Sequence, residues 1–238
     1  MAKGQKRATA TGGLKGFYAI LAVVAIIGIV ALVSVVAKQG GAAATEPIPL
    51  PELTTDTRAL VEMAKGVTIG ESTAPVKLIV FSDYQCPWCG QFSSQVKPLL
   101  VENQVKAGKL QLVMYDFPLG GGHKYSFVAA RAARCAGDQG KFWEYHDLLF
   151  GQQSRWSTKP SVPIKQFEEY AAQLGLDTQA FGQCLNSDRH ADVVSANRLL
   201  GEQLGVNGTP TVIINNKRVQ RPLDYGELSE LIEREAGA

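Results

Sequence analysis

Apolar and polar residues alternate in short segments over most of the chain, and their spacing predicts a succession of strands and helices. Val76–Phe81 is a mostly apolar run rich in β-branched residues, which predicts a buried strand, and Leu110–Phe117 predicts a second one. Between them, apolar residues recur at helical spacing from Pro87 to about Val105. A strand, a crossover helix and a second strand in this order indicate a sheet that is at least partly parallel.

The second half of the chain is helical in character until strand character returns near the C-terminus. Five segments have helical spacing: His123–Ala136, Lys141–Phe150, Ile164–Leu174, Asp177–Leu185 and Ser187–Leu204. Thr211–Ile214 then predicts a strand. The dipeptide Asn215-Asn216 predicts a tight turn into a last, antiparallel strand over Lys217–Gln220. An amphipathic helix over Leu223–Ala236 completes an α/β fold.

An uncharged apolar run, Phe17–Ala37, stands apart from this amphipathic pattern. About 20 apolar residues in a helix span a bilayer core of about 30 Å, whereas a cleavable signal peptide has an apolar region of roughly 7–15 residues. Ala42-Ala43-Ala44 resembles a cleavage site, but the length of the run favours an uncleaved signal-anchor. A buried core helix is the poorer alternative because the run is apolar on all sides.

Charge is distributed unevenly around this run. Four basic residues and no acidic residue precede it, namely Lys3, Lys6, Arg7 and Lys15, while Lys38 alone follows closely. The positive-inside bias then places the N-terminus in the cytoplasm and the domain outside, in a single-pass protein of the cell membrane. The net charge of only +2 gives no indication of nucleic-acid binding.

These patterns divide the chain into four parts. Residues 1–15 are a basic cytoplasmic tail, and residues 16–38 are one N-terminal transmembrane helix. Residues 39–58 are a linker, because Gly40–Pro51 consists largely of small residues and prolines that bury little apolar surface. Residues 59–238 form the folded domain, with a helical insertion from about residue 120 to residue 206.

The sequence Cys86-Pro87-Trp88-Cys89 lies where a predicted strand gives way to a predicted helix. A C-x-x-C pair is ambiguous by itself, since it occurs in zinc sites, static disulfides and redox centres. The chain has no second such pair to complete a zinc site. Pro87 is suited to the first helical position, which places Cys86 at the N-cap. There the free N–H groups and the helix dipole stabilise a thiolate, which favours thiol–disulfide exchange at Cys86 with Cys89 as its partner.

Three motifs together resemble the DsbA-like branch of the thioredoxin superfamily: FSDYQCPWC, KFWEYHDLLF, and Gly208-Thr209-Pro210-Thr211 before the late strand. The resemblance covers about residues 67–236 and implies a thioredoxin-like fold with a helical insertion. It also implies a cis bond before Pro210, with the backbone of Thr209 lying against the active disulfide and helping to hold substrate. Cys86 and Cys89 would then be the catalytic pair, with Pro87 and Trp88 setting its redox poise.

The resemblance implies an oxidase that introduces disulfides into exported client proteins and is reoxidised by a quinone-linked membrane partner. Trp88 stands where strong oxidants of this family often have histidine, so a disulfide reductase or isomerase remains an alternative. A copper(I)-binding thiol module is a further alternative from a different class. We expect no cofactor and no resident metal, because His123, His146 and His190 show no ligand spacing.

The resemblance also draws attention to a departure at Val80. Thioredoxin-like proteins often have a buried acid six residues before the first active cysteine, and here that residue is valine. Asp83 and Glu144 are candidates for replacing it as the proton acceptor of Cys89. Phe81, Tyr84 and Trp88 are expected to line the apolar surface around the dithiol.

A second pair of cysteines, Cys135 and Cys184, lies in the helical block. An exported chain with four cysteines favours disulfides, and these two remain if Cys86 pairs with Cys89. We expect a structural disulfide here. A second redox couple and two unpaired buried thiols are the alternatives.

Overall fold

A five-stranded mixed sheet lies at the centre of residues 43–237, the part of the chain that this computed structural model describes. The strands are β1 (Val67–Ile69), β2 (Val76–Ser82), β3 (Leu110–Asp116), β4 (Thr211–Ile214) and β5 (Lys217–Arg218). Their spatial order is β1-β3-β2-β4-β5. Only β2 and β3 pair in parallel among these strands, which confirms the partly parallel sheet predicted from the sequence.

Helices cover both faces of the sheet. In chain order they are α1 (Thr57–Met63), α2 (Pro87–Gln91), α3 (Lys97–Leu100), α4 (Ser126–Gly137), α5 (Phe142–Gly151), α6 (Gln153–Trp156), α7 (Ile164–Gln173), α8 (Thr178–Leu185), α9 (Ala191–Gln203) and α10 (Tyr225–Ala236). Helices α4 to α9 form the helical insertion between β3 and β4. The predicted thioredoxin-like α/β architecture with a helical insertion is therefore present.

The crossover helix between β2 and β3 begins at Pro87 and changes its winding along its length. The α-helical segments α2 and α3 alternate with two π-helical segments, Phe92–Val96 and Val101–Val105. Pro98 has no N–H to donate, and just before it the N–H of Lys97 bonds to the carbonyl of Phe92. The helix therefore spans the range predicted from the sequence, with a wider winding in two of its turns.

The two faces of β2 pack against different helices, because successive side chains of a strand point to opposite sides. Val80 lies in the large apolar cluster that also contains Cys89. Phe81 lies on the other face in a cluster with Phe117. Helix α9 approaches this second face closely, since a Cβ atom at Gly201 would lie 2.6 Å from the ring of Phe117. The sheet therefore has an apolar cluster on each face, and Cys89 belongs to the cluster that contains Val80.

The turn between β4 and β5 has the conformation expected from its sequence. Asn215 and Asn216 both have positive φ, at 41° and 68°, and the strands that they join are antiparallel. Asparagine tolerates this region because its side chain can hydrogen-bond locally. The strand after the turn is shorter than predicted and ends at Arg218.

Helix α9 begins later than its apolar pattern suggests. The periodicity predicts a start at Ser187, but the helix starts at Ala191, after His190 at φ 66°. The carbonyl oxygens of Ser187 and Arg189 instead accept hydrogen bonds from the fully buried guanidinium group of Arg131. These backbone groups are therefore directed towards a buried charge, and helix formation is delayed by one turn.

The predicted linker over residues 39–58 is wrong for its described part, because residues 43–58 pack against the domain. The N–H of Ala44 donates to Asp188 and the N–H of Ile48 donates to Ser195, each at 2.8 Å. Leu53 is buried in a small cluster with Leu60 of α1. Prolines keep this segment extended, and its polar partners lie far along the sequence, so the local composition did not reveal the contact.

Residues 43–237 contain no helix that is both long enough and apolar enough to cross a bilayer. The predicted basic tail at residues 1–15 and the transmembrane helix at residues 16–38 lie outside the described residues.

Candidate active site

Cys86 lies at the start of the crossover helix, as its neighbours in the sequence predict. Its backbone is extended, with φ −71° and ψ 122°, and Pro87 occupies the first helical position. The N–H of Cys86 is held by the backbone carbonyl and the carboxylate of Asp83, each at 3.1 Å. The sulfur atom therefore faces the unpaired N–H groups of the first helical turn, where negative charge is stabilised.

The surroundings of Cys86 favour its thiolate form. A hydrogen bond with the thiol of Cys89 is the largest of the causes that lower the pKa of Cys86 to about 6. The side chain of Thr209 and the backbone N–H groups of Cys89 and Trp88 lower it further, against the opposing effect of burial. Cys86 is therefore largely ionised at neutral pH and is the nucleophilic member of the pair.

Titration of the reduced protein is expected to show one thiol with a midpoint near pH 6, since the pKa of Cys86 is lowered to about 6. The ultraviolet absorbance of the thiolate measures this directly. A Cys86→Ser variant is the matched control and should show no thiolate below about pH 8.5, the value for a free thiol. A wild-type midpoint near that free-thiol value would contradict the helix-terminus argument.

Cys89 is the buried member of the pair, with 1% of its surface exposed. Burial is the main cause that raises its pKa well above the ordinary value, and the hydrogen bond with Cys86 and its charge raise it further. The N–H of Asp83 approaches its sulfur at 3.5 Å. Both sulfurs are free thiols in this structure. The pair therefore consists of one thiolate near the surface and one protonated thiol beneath it.

Asp83 organises the loop that carries Cys86. One of its carboxylate oxygens accepts from the N–H of Gln85 at 2.6 Å, and the other accepts from the N–H of Leu119 at 2.7 Å. Nδ1 of His123 lies 3.1 Å from the same carboxylate, and this contact raises the pKa of the histidine. Asp83 is therefore fully engaged in holding backbone and His123, and it does not present a free oxygen to Cys89.

Glu144 is not near the dithiol, and its predicted role there is wrong. Its side chain is 47% exposed on α5 and pairs with Lys141 at 2.8 Å. A lysine three residues away on a helix supplies this pairing locally. The position of Glu144 on the outer face of the helix removes it from the list of proton acceptors.

The helical insertion holds the active-site loop in place through two glutamine side chains. Gln153 of α6 donates to the carbonyl oxygens of Tyr84 and Cys86, at 2.8 and 3.0 Å. Gln85, which lies in the loop itself, donates to the carbonyl of Ser157 in the insertion at 3.0 Å. The loop carbonyls next to the helix start are thus paired with side-chain donors. This pairing fixes the conformation of the loop that carries Cys86.

The Thr209–Pro210 peptide bond is cis and lies against the dithiol. The thiol of Cys86 approaches the carbonyl oxygen of Thr209 at 3.2 Å. Beside them, an open groove of about 730 Å³ is lined by Trp88, Thr209, Pro210 and the segment from Arg221 to Tyr225. This groove is the open surface next to the reactive sulfur.

Only one of the three aromatic residues expected on the surface around the dithiol lies there. Trp88 is 61% exposed, whereas Phe81 and Tyr84 are buried, at 0% and 1%. Phe81 packs below the sheet, and Tyr84 stacks on Phe150 of α5 with ring centroids 4.9 Å apart. The expectation for Phe81 and Tyr84 was wrong because their neighbours in space come from distant parts of the chain.

The comparisons with known proteins agree with this geometry. The family model described as Thioredoxin matches residues 62–234, well over half of the chain. The chain belongs to the thioredoxin family. Over 169 residues it is 26% identical to Disulfide bond formation protein D of Bacillus subtilis (strain 168). The aligned region covers 70% of this chain and 75% of that protein.

Solved structures give the same result for the fold. The crystal structure of oxidised BdbD from Bacillus subtilis superposes on this chain with a TM-score of 0.65 and 23% identity. The superposition covers 83% of this chain and 99% of BdbD. The thioredoxin-like fold that the resemblance implies is therefore confirmed.

A second group of relatives is larger than this thioredoxin-family protein. This chain is 33% identical over 163 residues to Na(+)/H(+) antiporter NhaA 3 of Salinispora tropica. The aligned region covers 68% of this chain and 24% of the antiporter. The chain thus spans about a quarter of the length of the curated antiporters that it matches.

Three polar residues lie near the dithiol although the sequence predicted no role for them there. His123 and His146 are far from Cys86 in sequence, whereas Lys97 lies about three helical turns after it on the crossover helix. His123 reaches the site on the loop after β3, whereas Lys97 and His146 lie beneath Cys89. The signal that could have drawn attention to them is the missing acid at Val80, which leaves the buried thiol without its usual neighbour.

Cys135 and Cys184 form a disulfide that joins α4 to α8. Both residues are buried, at 1% and 5% exposed. The side chains nearest to it include Asp138, whose carboxylate lies 3.7 Å from the sulfur of Cys184 and 2.9 Å from Nε2 of His190. This bond fastens two helices of the insertion to each other within the thioredoxin-family fold.

Proposed function

We propose that this protein is a thiol–disulfide oxidoreductase that introduces disulfides into exported proteins through Cys86 and Cys89. The observation that carries the proposal is the contrast between the two thiols. Cys86 has a pKa lowered to about 6 and lies beside an open groove, whereas Cys89 is buried with a raised pKa. Disulfide exchange needs one sulfur that attacks or is attacked and a second that closes the bond.

The reaction begins with the Cys86–Cys89 disulfide. A client thiolate attacks the sulfur of Cys86, the Cys86–Cys89 bond breaks, and Cys89 leaves as a thiolate that gains a proton. A second client thiolate then attacks the client sulfur of the mixed disulfide, and Cys86 leaves as a thiolate. The client is oxidised by two electrons, and the Cys86–Cys89 pair receives them.

The low pKa of Cys86 supports oxidation of clients as the favoured direction. A thiol of low pKa is a good leaving group, and stabilisation of its thiolate favours the reduced enzyme. Trp88 supplies no charge to this effect, so the helix start, Cys89 and Thr209 account for it instead. Reduction or isomerisation of disulfides by the same pair is the competing direction.

The groove beside Cys86 is the proposed binding surface for clients. The backbone of Thr209 and the ring of Pro210 form one wall, and the exposed ring of Trp88 forms another. An extended peptide with apolar side chains fits an open surface of this kind better than a small polar ligand does. Thr209 and Pro210 would align the client sulfur with Cys86.

The proposed membrane anchor lies in residues 1–38, outside the described part of the chain. The apolar run at residues 16–38 would anchor the protein, with the basic tail at residues 1–15 in the cytoplasm and the thioredoxin-like domain on the other side of the membrane. A quinone-linked membrane oxidase would reoxidise the dithiol. The name of the Bacillus subtilis relative, Disulfide bond formation protein D, is in keeping with this role.

The reduction potential of the Cys86–Cys89 pair distinguishes the two directions. We expect a value near about −120 mV, typical of strong oxidants, rather than near about −270 mV, typical of reductases. Equilibration with glutathione buffers and quantification of both redox forms measures it. The Cys135→Ala/Cys184→Ala variant serves as a control that reports the active pair alone. A potential at the reducing end would overturn the assignment as an oxidase.

A further inference from the structure

A small cavity lies directly beneath Cys89. It has about 10 Å³ of room for the centre of a water molecule, close to the least that a single water needs. Its walls combine apolar residues of the sheet and helices with a few polar side chains: Cys89, Ser93 and Lys97 from the crossover helix, Ser82 from β2 and His146 from α5. Val80 is part of the wall, so the sheet supplies no acid.

His146 lies at the centre of a chain of buried hydrogen bonds. Its Nδ1 is 3.1 Å from the hydroxyl of Tyr84, and its Nε2 is 3.2 Å from the hydroxyl of Ser93. Ser93 follows Cys89 by one helical turn and lines the same cavity. The imidazole is therefore connected through one hydroxyl group to the space under the buried thiol.

The same histidine also approaches the protein surface. Its Nε2 lies 3.9 Å from the carboxylate of Asp147, whose side chain is 55% exposed. Asp147 pairs with Lys97, an amine with only 7% of its side chain exposed, which also lies 5.2 Å from the ring centroid of Trp143. A buried base thus stands between an internal thiol and a carboxylate in contact with solvent.

We propose that His146 is the base that exchanges a proton with Cys89 through Ser93 and passes it to solvent at Asp147. This inference rests on the proposed function and assigns the proton transfer that the function requires. His146 acts on Cys89 through Ser93, so it is a positioning and proton-carrying residue rather than a group in contact with the substrate.

The proton balance is the same in both directions of exchange. When Cys89 closes the disulfide, its S–H bond breaks, the proton moves through the Ser93 hydroxyl, and an N–H bond forms at Nε2 of His146. The Cys89 sulfur then attacks Cys86, and the partner thiolate leaves. When a client opens the disulfide, Cys89 leaves as a thiolate and takes the proton back by the reverse route. No other oxidant or reductant is involved.

The surroundings of His146 keep it neutral and make it a weaker base than the Cys89 thiolate, so it holds the proton from Cys89 only transiently. Burial lowers its pKa well below the usual range, and the positive charge of Lys97 lowers it further. Tyr84 stays protonated because burial raises its pKa. Strand β3 contributes only Leu112 and Met114 to the cavity wall. The imidazole is thus neutral at physiological pH, and a proton that it accepts is readily released towards Asp147.

A single-turnover reaction of the reduced full-length protein with one equivalent of dithiobis-nitrobenzoate separates the two thiols. Cys86 attacks this aromatic disulfide and releases a first coloured thiolate, and Cys89 then attacks Cys86 and releases a second. A His146→Gln variant should keep the first phase and slow the second by about 100-fold, the usual scale for losing a general base. In this variant the rate of the second phase should rise roughly tenfold per pH unit, because it follows the thiolate fraction of Cys89. The wild-type rate should stay nearly constant above neutral pH.

Two further variants make the test decisive. Ser93→Ala removes the connecting hydroxyl but keeps the imidazole, and it should slow the second phase in the same way even if His146→Gln does not fold. Phe150→Leu disturbs packing on the same cavity wall without removing a titrating group, and its pH profile should remain that of the wild type. If Ser93→Ala or a folded His146→Gln retains the wild-type second phase, the inference is wrong. A first phase as slow as that of a free thiol would instead refute the proposed function.

Discussion

A Cys86→Ala protein is expected to have lost catalysis of disulfide exchange by more than about three orders of magnitude, the scale seen when a catalytic nucleophile is removed. Cys86, 4% exposed, is the thiol with the lowered pKa and lies beside the groove, whereas Cys89 is 1% exposed and has a raised pKa. Without Cys86, neither a client nor an oxidant can reach a reactive sulfur. Oxidation of a reduced model client, followed by its gain of activity, measures the loss.

The Cys89→Ala protein should fail in a different way. It retains the low-pKa thiol, so it attacks disulfides, but it cannot close the Cys86–Cys89 bond and stops at the mixed disulfide. Trapped adducts should therefore appear on non-reducing gels for Cys89→Ala and be absent for Cys86→Ala. Equal trapping by both variants would show that Cys86 is not the attacking sulfur.

The geometry behind this prediction was accessible from the sequence because it is local. A strand, the sequence Cys86-Pro87-Trp88-Cys89 and a helix follow one another directly, so the rule for proline at the first helical position places Cys86 at the N-cap. Apolar runs rich in β-branched residues also predicted the core strands, and the strand–helix–strand order predicted a partly parallel sheet, in which β2 and β3 are the parallel pair. Local pattern therefore determines the reactive sulfur and the sheet that supports it.

Features that depend on contacts between distant residues were not accessible in this way. The segment from residue 43 to residue 58 is extended and rich in proline, and its attachment depends on Arg131, Asp188 and Ser195. Likewise, His146 reaches the cavity beneath Cys89 only because α5 packs against the crossover helix. A histidine in an amphipathic helix gives no sign of which buried thiol it will face, so tertiary packing decides its role.

Removal of the second disulfide, by Cys135→Ala together with Cys184→Ala, should lower the free energy of unfolding by about 4 kcal/mol. The bond closes a loop of 49 residues, and this is the loss of unfolded-chain entropy expected for a loop of that length. For a domain of this size it corresponds to a fall in Tm of about 10 °C. Thermal unfolding of the oxidised wild type and the variant measures the difference.

The exchange reaction of this variant should remain at the wild-type rate at a temperature where both proteins are folded. The bond joins α4 to α8 within the insertion, and neither of its cysteines lines the groove beside Cys86. A redox couple would give the opposite pattern. If client oxidation fell by tenfold or more while stability changed by less than about 1 kcal/mol, electrons would have to pass through Cys135 and Cys184. A large loss of stability with unchanged exchange therefore identifies the bond as a structural one, which holds the helical insertion together while the Cys86–Cys89 pair alone reacts.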